Sequence, residues 1–169
     1  MAISVVVGNP KPLSRTYRAA QLVAERVTGR PPDVVVDLVD LGPELLDWSS
    51  AEVARAVADV QASSFVVFAS PTYKASYTGL LKLFLDRIGT GGLAGVTALP
   101  LMLGGDLRHS LAPEVFLKPV LAELGASCPT PALFLLESQW DDPAALDGWL
   151  ERSRITDHAK LGPSGSFAF

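Results

Sequence analysis

Cysteine and histidine are scarce in this sequence, and their scarcity excludes two kinds of stabilising site. The 169 residues include one cysteine, Cys128, and two histidines. A lone cysteine cannot form a disulfide within the chain, and no cysteines and histidines stand at the spacing of a metal site. We therefore expect neither a disulfide nor a bound metal, and a reducing compartment such as the cytoplasm.

The sequence also lacks a strong excess of charge and a long uninterrupted apolar run. Its formal net charge of -4 is too small to indicate a nucleic-acid-binding polycation or a strongly acidic carrier. No apolar run approaches the roughly 20 residues that cross a bilayer, and the first residues lack the basic start of a secretory signal. These features predict a cytoplasmic protein that binds neither nucleic acid nor membrane.

Two common phosphate-binding signatures are missing as well. The segment that follows the first predicted strand, residues 8–16, matches neither the Gly-x-Gly-x-x-Gly pattern nor the Walker loop. The sequence therefore argues against a dinucleotide-binding Rossmann protein and against an NTPase.

What the chain does have is a regular alternation of apolar runs with segments of helical period. Five continuous apolar runs predict strands, and these are Ala2–Val7, Val34–Leu38, Phe65–Ala69, Ala98–Leu103 and Ala132–Leu136. Continuous runs are typical of parallel strands that helices cover on both faces. The pattern predicts a single α/β domain over residues 1–160, followed by a flexible tail at residues 161–169.

Five helices are predicted between and after these strands. They run from Ser14 to about Gly29, from Ser49 or Ser50 onward, from a cap at Thr78, from Leu111 to Leu124, and around Leu146, Trp149 and Leu150. Pro119 falls inside the fourth helix, where it removes an internal hydrogen bond. We therefore expect a kink or a bulge in that helix.

Ligands of such a sheet bind beyond the carboxyl ends of its strands, so the loops after the first, third and fourth strands form the candidate site. The first loop, residues 8–16, offers hydroxyl groups on Ser14 and Thr16 and the guanidinium of Arg15 near a helix N-terminus. This combination suits a phosphate. The competing interpretation is that Ser14 only caps the helix while Arg15 lies in solvent.

The second loop, residues 70–79, is rich in polar and aromatic groups for a connection between two apolar elements. Pro71 restrains its entry, and Tyr73 is a better candidate for a ligand contact than Tyr77 because it lies nearer the strand end. Lys74 could stabilise negative charge on a ligand, or it is an ordinary surface lysine.

The third loop, residues 104–110, begins with Gly104 and Gly105, whose missing Cβ atoms would let a planar ligand lie against the chain. Asp106 could instead cap a helix. His109 has no visible orienting carboxylate or nucleophile, so we interpret it first as a substrate-pocket or structural residue and only second as a catalyst.

Three motifs occur together in this sequence. They are Pro71-x-Tyr73-x-x-x-Tyr77-x-Gly79-x-Leu81-Lys82-x-x-x-Asp86, the earlier Gly8-x-Pro10 with Ser14-Arg15, and the later Gly104-Gly105. In this combination, and over roughly residues 3–136, the chain resembles the NADPH-dependent FMN reductase family. Residues 73–77 and 117–121 most resemble the FMN reductases that supply reduced flavin to two-component sulfonate monooxygenases.

The resemblance implies a flavodoxin-like three-layer sandwich around a five-stranded parallel sheet of order 2-1-3-4-5. It assigns the FMN phosphate to Ser14, Arg15 and Thr16. It assigns the isoalloxazine ring to Pro71, Thr72, Tyr73 and Lys74, with Gly104, Gly105 and Asp106 beside the ring.

The resemblance also implies the reaction, which is hydride transfer from the nicotinamide C4 of NADPH or NADH to flavin N5. Because the flavin carries this chemistry, no catalytic side chain is expected, and Lys74 is a candidate stabiliser of the reduced ring. The expected partners are the nicotinamide and flavin molecules, with a flavin-dependent monooxygenase as the recipient of reduced FMN.

Other functions stay open on the sequence alone. The chain could keep FMN bound and reduce a quinone, an azo dye or a metal ion. It could also be a flavodoxin-type electron carrier, although its weak acidity and its lysine-containing first loop argue against that. A flavin-sensing module has no specific support.

The resemblance further implies a homodimer or tetramer. Four residues of the third and fourth helices are candidates for its interface, with a core position as the alternative for the first two: Leu83, Phe84, Phe116 and Leu117. Val115 takes the place of a tyrosine that some of these reductases carry, which is associated with subunit packing and weak flavin retention. Whether FMN is a fixed cofactor or a released product is therefore open.

Overall fold

The computed structural model describes residues 1–153 and contains one parallel β-sheet. Its strands are β1 (Ile3–Val7), β2 (Val34–Asp37), β3 (Phe65–Pro71), β4 (Thr97–Gly104) and β5 (Leu133–Leu136). All neighbouring strands are parallel, in the order β2-β1-β3-β4-β5. The predicted flavodoxin-like architecture is confirmed, and each predicted strand lies within two residues of the observed one.

Helices cover both faces of the sheet. They are α1 (Arg15–Thr28), α2 (Leu38–Leu41), α3 (Ala51–Gln61), α4 (Gly79–Leu85), α5 (Lys118–Glu123) and α6 (Pro143–Ser153), with short 3-10 helices at Gly42–Leu46 and Leu107–His109. Alternate strand residues face opposite sides: Phe68 belongs to the apolar cluster under α3 and α4, and Val67 to the cluster under α1 and α6. Both faces are therefore buried, as the continuous apolar runs predict.

Helix caps follow the sequence closely. The hydroxyl groups of Ser14, Ser50 and Thr78 each accept a hydrogen bond from a backbone N–H in the first turn of α1, α3 and α4, respectively. Gly29 ends α1 with φ 76°, a left-handed conformation that glycine adopts without a Cβ clash. The caps at Ser14 and Gly29 therefore fix where α1 begins, at the carboxyl edge of the sheet, and where it ends.

The fourth predicted helix divides into two parts. Residues Pro113–Leu117 form a π-helix, in which the N–H of Lys118 donates to the carbonyl of Pro113, and α5 follows. Pro119 has no N–H to donate to the Val115 carbonyl four residues before it, so the regular ladder is interrupted there. The predicted distortion at Pro119 is confirmed, and it takes the form of a π-bulge.

The structure corrects part of the predicted interface. Phe84 and Leu117 have no exposed surface and belong to the core, whereas Leu83 and Phe116 are exposed. Within residues 1–153, no helix has the length and apolarity needed to span a membrane. The predicted tail at residues 161–169 and the predicted domain end at residue 160 lie outside the described residues.

Candidate functional site

A cavity of about 550 Å³ opens at the carboxyl edge of the sheet. The loops after β1, β3 and β5 and the end of β4 contribute to it. Its lining residues are Asn9, Lys11, Pro12, Leu13, Ser14, Arg15, Thr16, Arg18, Pro71, Tyr73, Leu103 and Glu137. The topology thus brings together residues that are as many as 128 positions apart in the sequence, from Asn9 to Glu137.

Thr16 is the most deeply buried polar residue of the first loop, with 1% of its surface exposed. Its Oγ1 accepts a hydrogen bond from the side-chain amide of Asn9 at 3.0 Å. The oxygen of the same amide accepts from the backbone N–H of Lys11 at 2.9 Å. Because Asn9 occupies an acceptor site of the Thr16 hydroxyl, the hydroxyl hydrogen stays available to a ligand.

Ser14 stands at the N-terminus of α1. Its Oγ accepts from the N–H of Tyr17 at 3.2 Å, so the side chain is a helix cap as one interpretation held. Capping uses the oxygen as an acceptor and leaves the hydroxyl hydrogen free to donate. The two interpretations of Ser14 are therefore compatible, since it can cap α1 and bind an anion at the same time.

The first loop is anchored to β2 by Asp37. The Leu13 N–H donates to the Asp37 carboxylate at 3.2 Å, and Leu13 adopts φ 48°, which a bulky side chain rarely does. Burial raises the pKa of Asp37, and the nearby charge of Asp40 adds to the effect, while the hydrogen bond from Leu13 opposes it. A buried carboxylate therefore holds the backbone at a strained position beside the cavity.

A second anchor joins the first loop to α4. The Thr78 hydroxyl donates to the Gly8 carbonyl at 2.5 Å, and the Thr78 N–H donates to Ser70 at 3.0 Å. A Cβ built on Gly8 would lie 2.5 Å from the Cβ of Leu81. Glycine is required here because α4 approaches the loop closely, whereas a Cβ on Gly79 would meet nothing within 4 Å among the described residues.

Three cationic side chains line the cavity, namely Lys11, Arg15 and Arg18. Arg15 Nη1 lies 3.3 Å from Oε2 of Glu137 and 3.5 Å from the Glu137 carbonyl oxygen. Glu137 directly follows β5, and its N–H donates to the Gly104 carbonyl at 2.9 Å. The cavity thus combines an excess of positive charge with one carboxylate that is already paired to Arg15.

The second loop contributes Pro71 and Tyr73 to the cavity, while Tyr77 packs against the core. Tyr73 and Ser76 exchange two backbone hydrogen bonds of 2.9 and 3.1 Å. Lys74 and Ala75 form the turn between them with φ 52° and 67°. Lys74 is exposed at the tip of this turn, away from the cavity lining.

Thr72 uses its N–H in a 2.6 Å hydrogen bond to the Leu103 carbonyl. Its hydroxyl is buried without a partner among the described residues. The hydroxyl faces Gly104, because a Cβ built on that glycine would lie 3.2 Å from the hydroxyl oxygen. Thr72 is half-buried and is not among the residues that line the cavity.

The third loop lies outside the cavity lining. A Cβ on Gly104 would come within 2.7 Å of the Phe134 ring, so this glycine is explained by packing, while a Cβ on Gly105 would meet nothing within 4 Å among the described residues. Asp106 accepts from the Arg108 N–H at 2.8 Å, which makes it the cap of a 3-10 helix. The hydrogen bond and charge of Arg108 lower the pKa of Asp106. His109 is partly buried within that short helix.

The structure thus brings five of the predicted site residues to one cavity: Ser14, Arg15, Thr16, Pro71 and Tyr73. The other six lie outside its lining: Thr72, Lys74, Gly104, Gly105, Asp106 and His109. Sequence reasoning missed Asn9 and Glu137. Glu137 could have been identified as a site residue from the sequence, because it directly follows a predicted strand at the same edge of the sheet.

A family model for the NADPH-dependent FMN reductases matches residues 1–141 of the chain. The chain belongs to the NADPH-dependent FMN reductase family. Among its relatives is an FMN reductase (NADPH) of Escherichia coli, 32% identical over 143 residues, which cover 82% of this chain and 75% of the relative. An NADH-dependent FMN reductase, SfnF, of Pseudomonas putida is 29% identical over 71% of this chain and 69% of its own.

A solved structure supports the same placement. The apo form of an NADH:FMN oxidoreductase (EMOB) is 32% identical and superposes with a TM-score of 0.82, covering 97% of this chain and 92% of the other. The likeness extends over almost the whole length of both chains.

Proposed function

We propose that this protein is an NAD(P)H-dependent FMN reductase whose cavity at the carboxyl edge of the sheet binds the flavin. The observation that carries the proposal is the convergence of Ser14, Arg15 and Thr16 at the N-terminus of α1, in a chain of the FMN reductase family. Relatives named FMN reductase and NADH:FMN oxidoreductase support it.

The residues present fit a flavin phosphate. The hydroxyl groups of Ser14 and Thr16 are buried, and their oxygens are engaged as acceptors, so what they offer a ligand is a donor. A dianionic phosphate needs donors and positive charge, which α1 and Arg15 supply. The volume of about 550 Å³ is also that of a small-molecule site.

The ring side of the cavity is apolar and aromatic. Pro71, Tyr73 and Leu103 line it, and they suit the flat face of an isoalloxazine better than a second charged group. We assign the phosphate to the first loop and the ring to the second. Contacts of the ring with Thr72, Lys74 and the third loop stay predictions.

FMN, when bound, supplies the redox chemistry, since it accepts a hydride from NAD(P)H and passes the electrons to an acceptor. The part of this chain is to bind and orient. Ser14, Arg15 and Thr16 hold the phosphate, and Tyr73 limits where the ring can lie. No side chain is required to act as a nucleophile.

The physiological setting is proposed by analogy. Relatives are named for NADPH in one case and for NADH in another, so both nicotinamides are candidates. We propose that the reduced FMN serves a flavin-dependent monooxygenase, and that the reaction takes place in the cytoplasm.

We also propose a homodimer or a tetramer. Several apolar side chains before and within the π-helix are exposed, and they are Leu107, Leu111, Val115 and Phe116. A second copy that covered them would bury this surface. Sedimentation velocity is expected to show an oligomer, and a monomer at all concentrations would contradict it.

The experiment that tests the function is a steady-state assay that crosses NADH and NADPH with FMN, FAD, riboflavin and a quinone. We expect nicotinamide oxidation that depends on FMN. A protein that neither binds FMN nor oxidises either nicotinamide would refute the proposal. A preference for the quinone over free FMN, with flavin that survives gel filtration, would instead identify a reductase with a fixed cofactor.

A further inference from the structure

Glu137 is the only acidic residue that lines the cavity within residues 1–153, where three cationic residues accompany it. Its backbone is fixed, because its N–H donates to the Gly104 carbonyl at 2.9 Å. Its carboxylate faces the first loop, with Oε2 lying 3.3 Å from Nη1 of Arg15. A negative charge is thus built into the wall of a site that otherwise favours anions.

Arg15 has two candidate partners in this arrangement. One is the Glu137 carboxylate, and the other is the flavin phosphate that the proposed function assigns to the first loop. Both side chains of the ion pair are solvent-accessible, at 62% and 42% exposure. Exposed pairs of this kind contribute little free energy, so a ligand can exchange for Glu137.

We propose that Glu137 competes with the flavin phosphate for Arg15 and thereby limits how tightly the protein retains FMN. The inference rests on the proposed function, since it concerns the same phosphate. Glu137 is then a residue that lowers the affinity of the protein for flavin. Such weakening suits a reductase that releases reduced FMN to another protein.

Two physical effects of Glu137 act in the same direction. Glu137 occupies the guanidinium nitrogen Nη1 with two acceptors, the carboxylate Oε2 and its own main-chain carbonyl. It also places a negative charge in the same cavity as the proposed phosphate dianion, and like charges repel each other there. Removal of the charge abolishes the repulsion and weakens the side-chain contact with Nη1, while the main-chain contact stays, so the affinity for phosphate rises.

The test is a fluorescence titration of the purified full-length chain with FMN and with riboflavin, which lacks the phosphate. We expect Glu137→Gln to lower the dissociation constant of FMN by roughly two- to fivefold, the upper part of the range of an exposed charge interaction. The dissociation constant of riboflavin should change by less than about twofold, because the neutral ligand presents no phosphate to Arg15.

A matched control is Asp147→Asn. Asp147 pairs with Arg26, so it also joins α1 to the C-terminal part of the described chain through an exposed carboxylate, but it lies outside the cavity lining. We expect it to leave FMN affinity unchanged. In an Arg15→Gln background, Glu137→Gln should have a smaller effect on FMN than in the wild type, because the competed group is absent.

The outcomes separate the two proposals. If wild type binds FMN and Glu137→Gln binds it equally or more weakly, Glu137 does not compete, and the inference is overturned. Equal tightening of riboflavin, or tightening by Asp147→Asn, would overturn it too. If the wild-type protein binds no FMN at all, the proposed function fails and takes this inference with it.

Discussion

The first loop, residues 8–16, and the third loop, residues 104–110, leave the same edge of the sheet but are held in different ways. The first loop is tied to β2 through Asp37 and to α4 through Thr78, and its Asn9, Ser14 and Thr16 side chains are buried. The third loop is exposed from residue 105 to residue 108, and Asp106 contacts Arg108 within the same loop. The side of the cavity that we propose for the phosphate is therefore preorganised within one chain.

This difference indicates how the two sides of the site are built. The proposed phosphate needs fixed donors, and the first loop is held in place with a strained Leu13 and a buried Asp37. The apolar Leu107 and Leu111 beside the third loop are exposed instead. Substitutions in the first loop should therefore affect stability and phosphate binding together, and those at the exposed residues 105–108 of the third loop should affect stability little.

The largest expected effect is that of Gly8→Ala. A Cβ at Gly8 would overlap the Cβ of Leu81 at 2.5 Å, so α4 or the loop must move. We expect a loss of about 2–3 kcal/mol in the free energy of unfolding, measured by urea denaturation, from overpacking. FMN affinity should fall as well, because the displaced loop carries the phosphate donors.

The matched variant is Gly105→Ala in the third loop, where a Cβ meets nothing within 4 Å among the described residues. We expect it to change stability by less than about 0.5 kcal/mol. Equal losses of stability in the two variants would show that the two loops do not differ in how closely they are packed.

A smaller effect is expected for Asn9→Ala. The substitution leaves the buried Thr16 hydroxyl and the Lys11 N–H without their partner. We expect a loss of about 1–2 kcal/mol in stability. The hydroxyl of Thr16 would also no longer be oriented, so FMN affinity should fall several-fold while riboflavin affinity stays nearly constant.

Ser49→Ala is the control for Asn9→Ala. The Ser49 hydroxyl donates to Asp47 in an exposed loop outside the cavity lining. Its removal should cost less than about 0.5 kcal/mol and leave FMN binding unchanged. An equal loss of riboflavin and FMN affinity in Asn9→Ala would show that Asn9 supports the whole pocket rather than the phosphate site.

The sequence predicted the elements whose causes are local. Strands came from continuous apolar runs, and α1, α3 and α4 from their capping residues. The helix α2 and the 3-10 turn after it were not predicted, because their four- and five-residue lengths depend on the burial of Leu38, Leu41 and Leu45. Strand β3 extends to Pro71 because Ser70 and Pro71 pair with Met102 and Leu103, and such pairing cannot be inferred from one segment.

The same limit applies to the candidate site. The hydroxyl and guanidinium groups of the first loop could be inferred from a strand, a turn and a helix N-terminus in succession. The pairing of Arg15 with Glu137 joins residues 122 positions apart, and only the strand order brings them together. The third loop looked favourable on composition, but the packing of Gly104 against Phe134 accounts for one of its two glycines.

Ala75→Gly should stabilise the protein modestly. Lys74 and Ala75 occupy a two-residue turn in which both residues have positive φ, a conformation that favours glycine at the second position. Relief of this strain, less the added entropy of the unfolded chain, should increase stability by about 0.5–1 kcal/mol. Urea denaturation would measure the gain. A loss of stability instead would show that the turn is held by side-chain contacts of Ala75.

The smallest expected effect is a difference in pH dependence between Asp37, which anchors the first loop from the end of β2, and Asp106 in the third loop. Burial raises the pKa of Asp37, so its ionisation disfavours the folded state. Wild type should lose stability relative to Asp37→Asn as the pH rises from about 4 through that raised pKa, and the difference should be constant above it.

Asp106 should behave in the opposite way, because Arg108 lowers its pKa. Its contribution is lost as the pH falls through the lowered pKa, and salt should weaken it since the pair is exposed. Urea midpoints of wild type, Asp37→Asn and Asp106→Asn between pH 3 and 8 measure both slopes, and slopes of the same sign would mean that the two loops do not differ in their burial of charge.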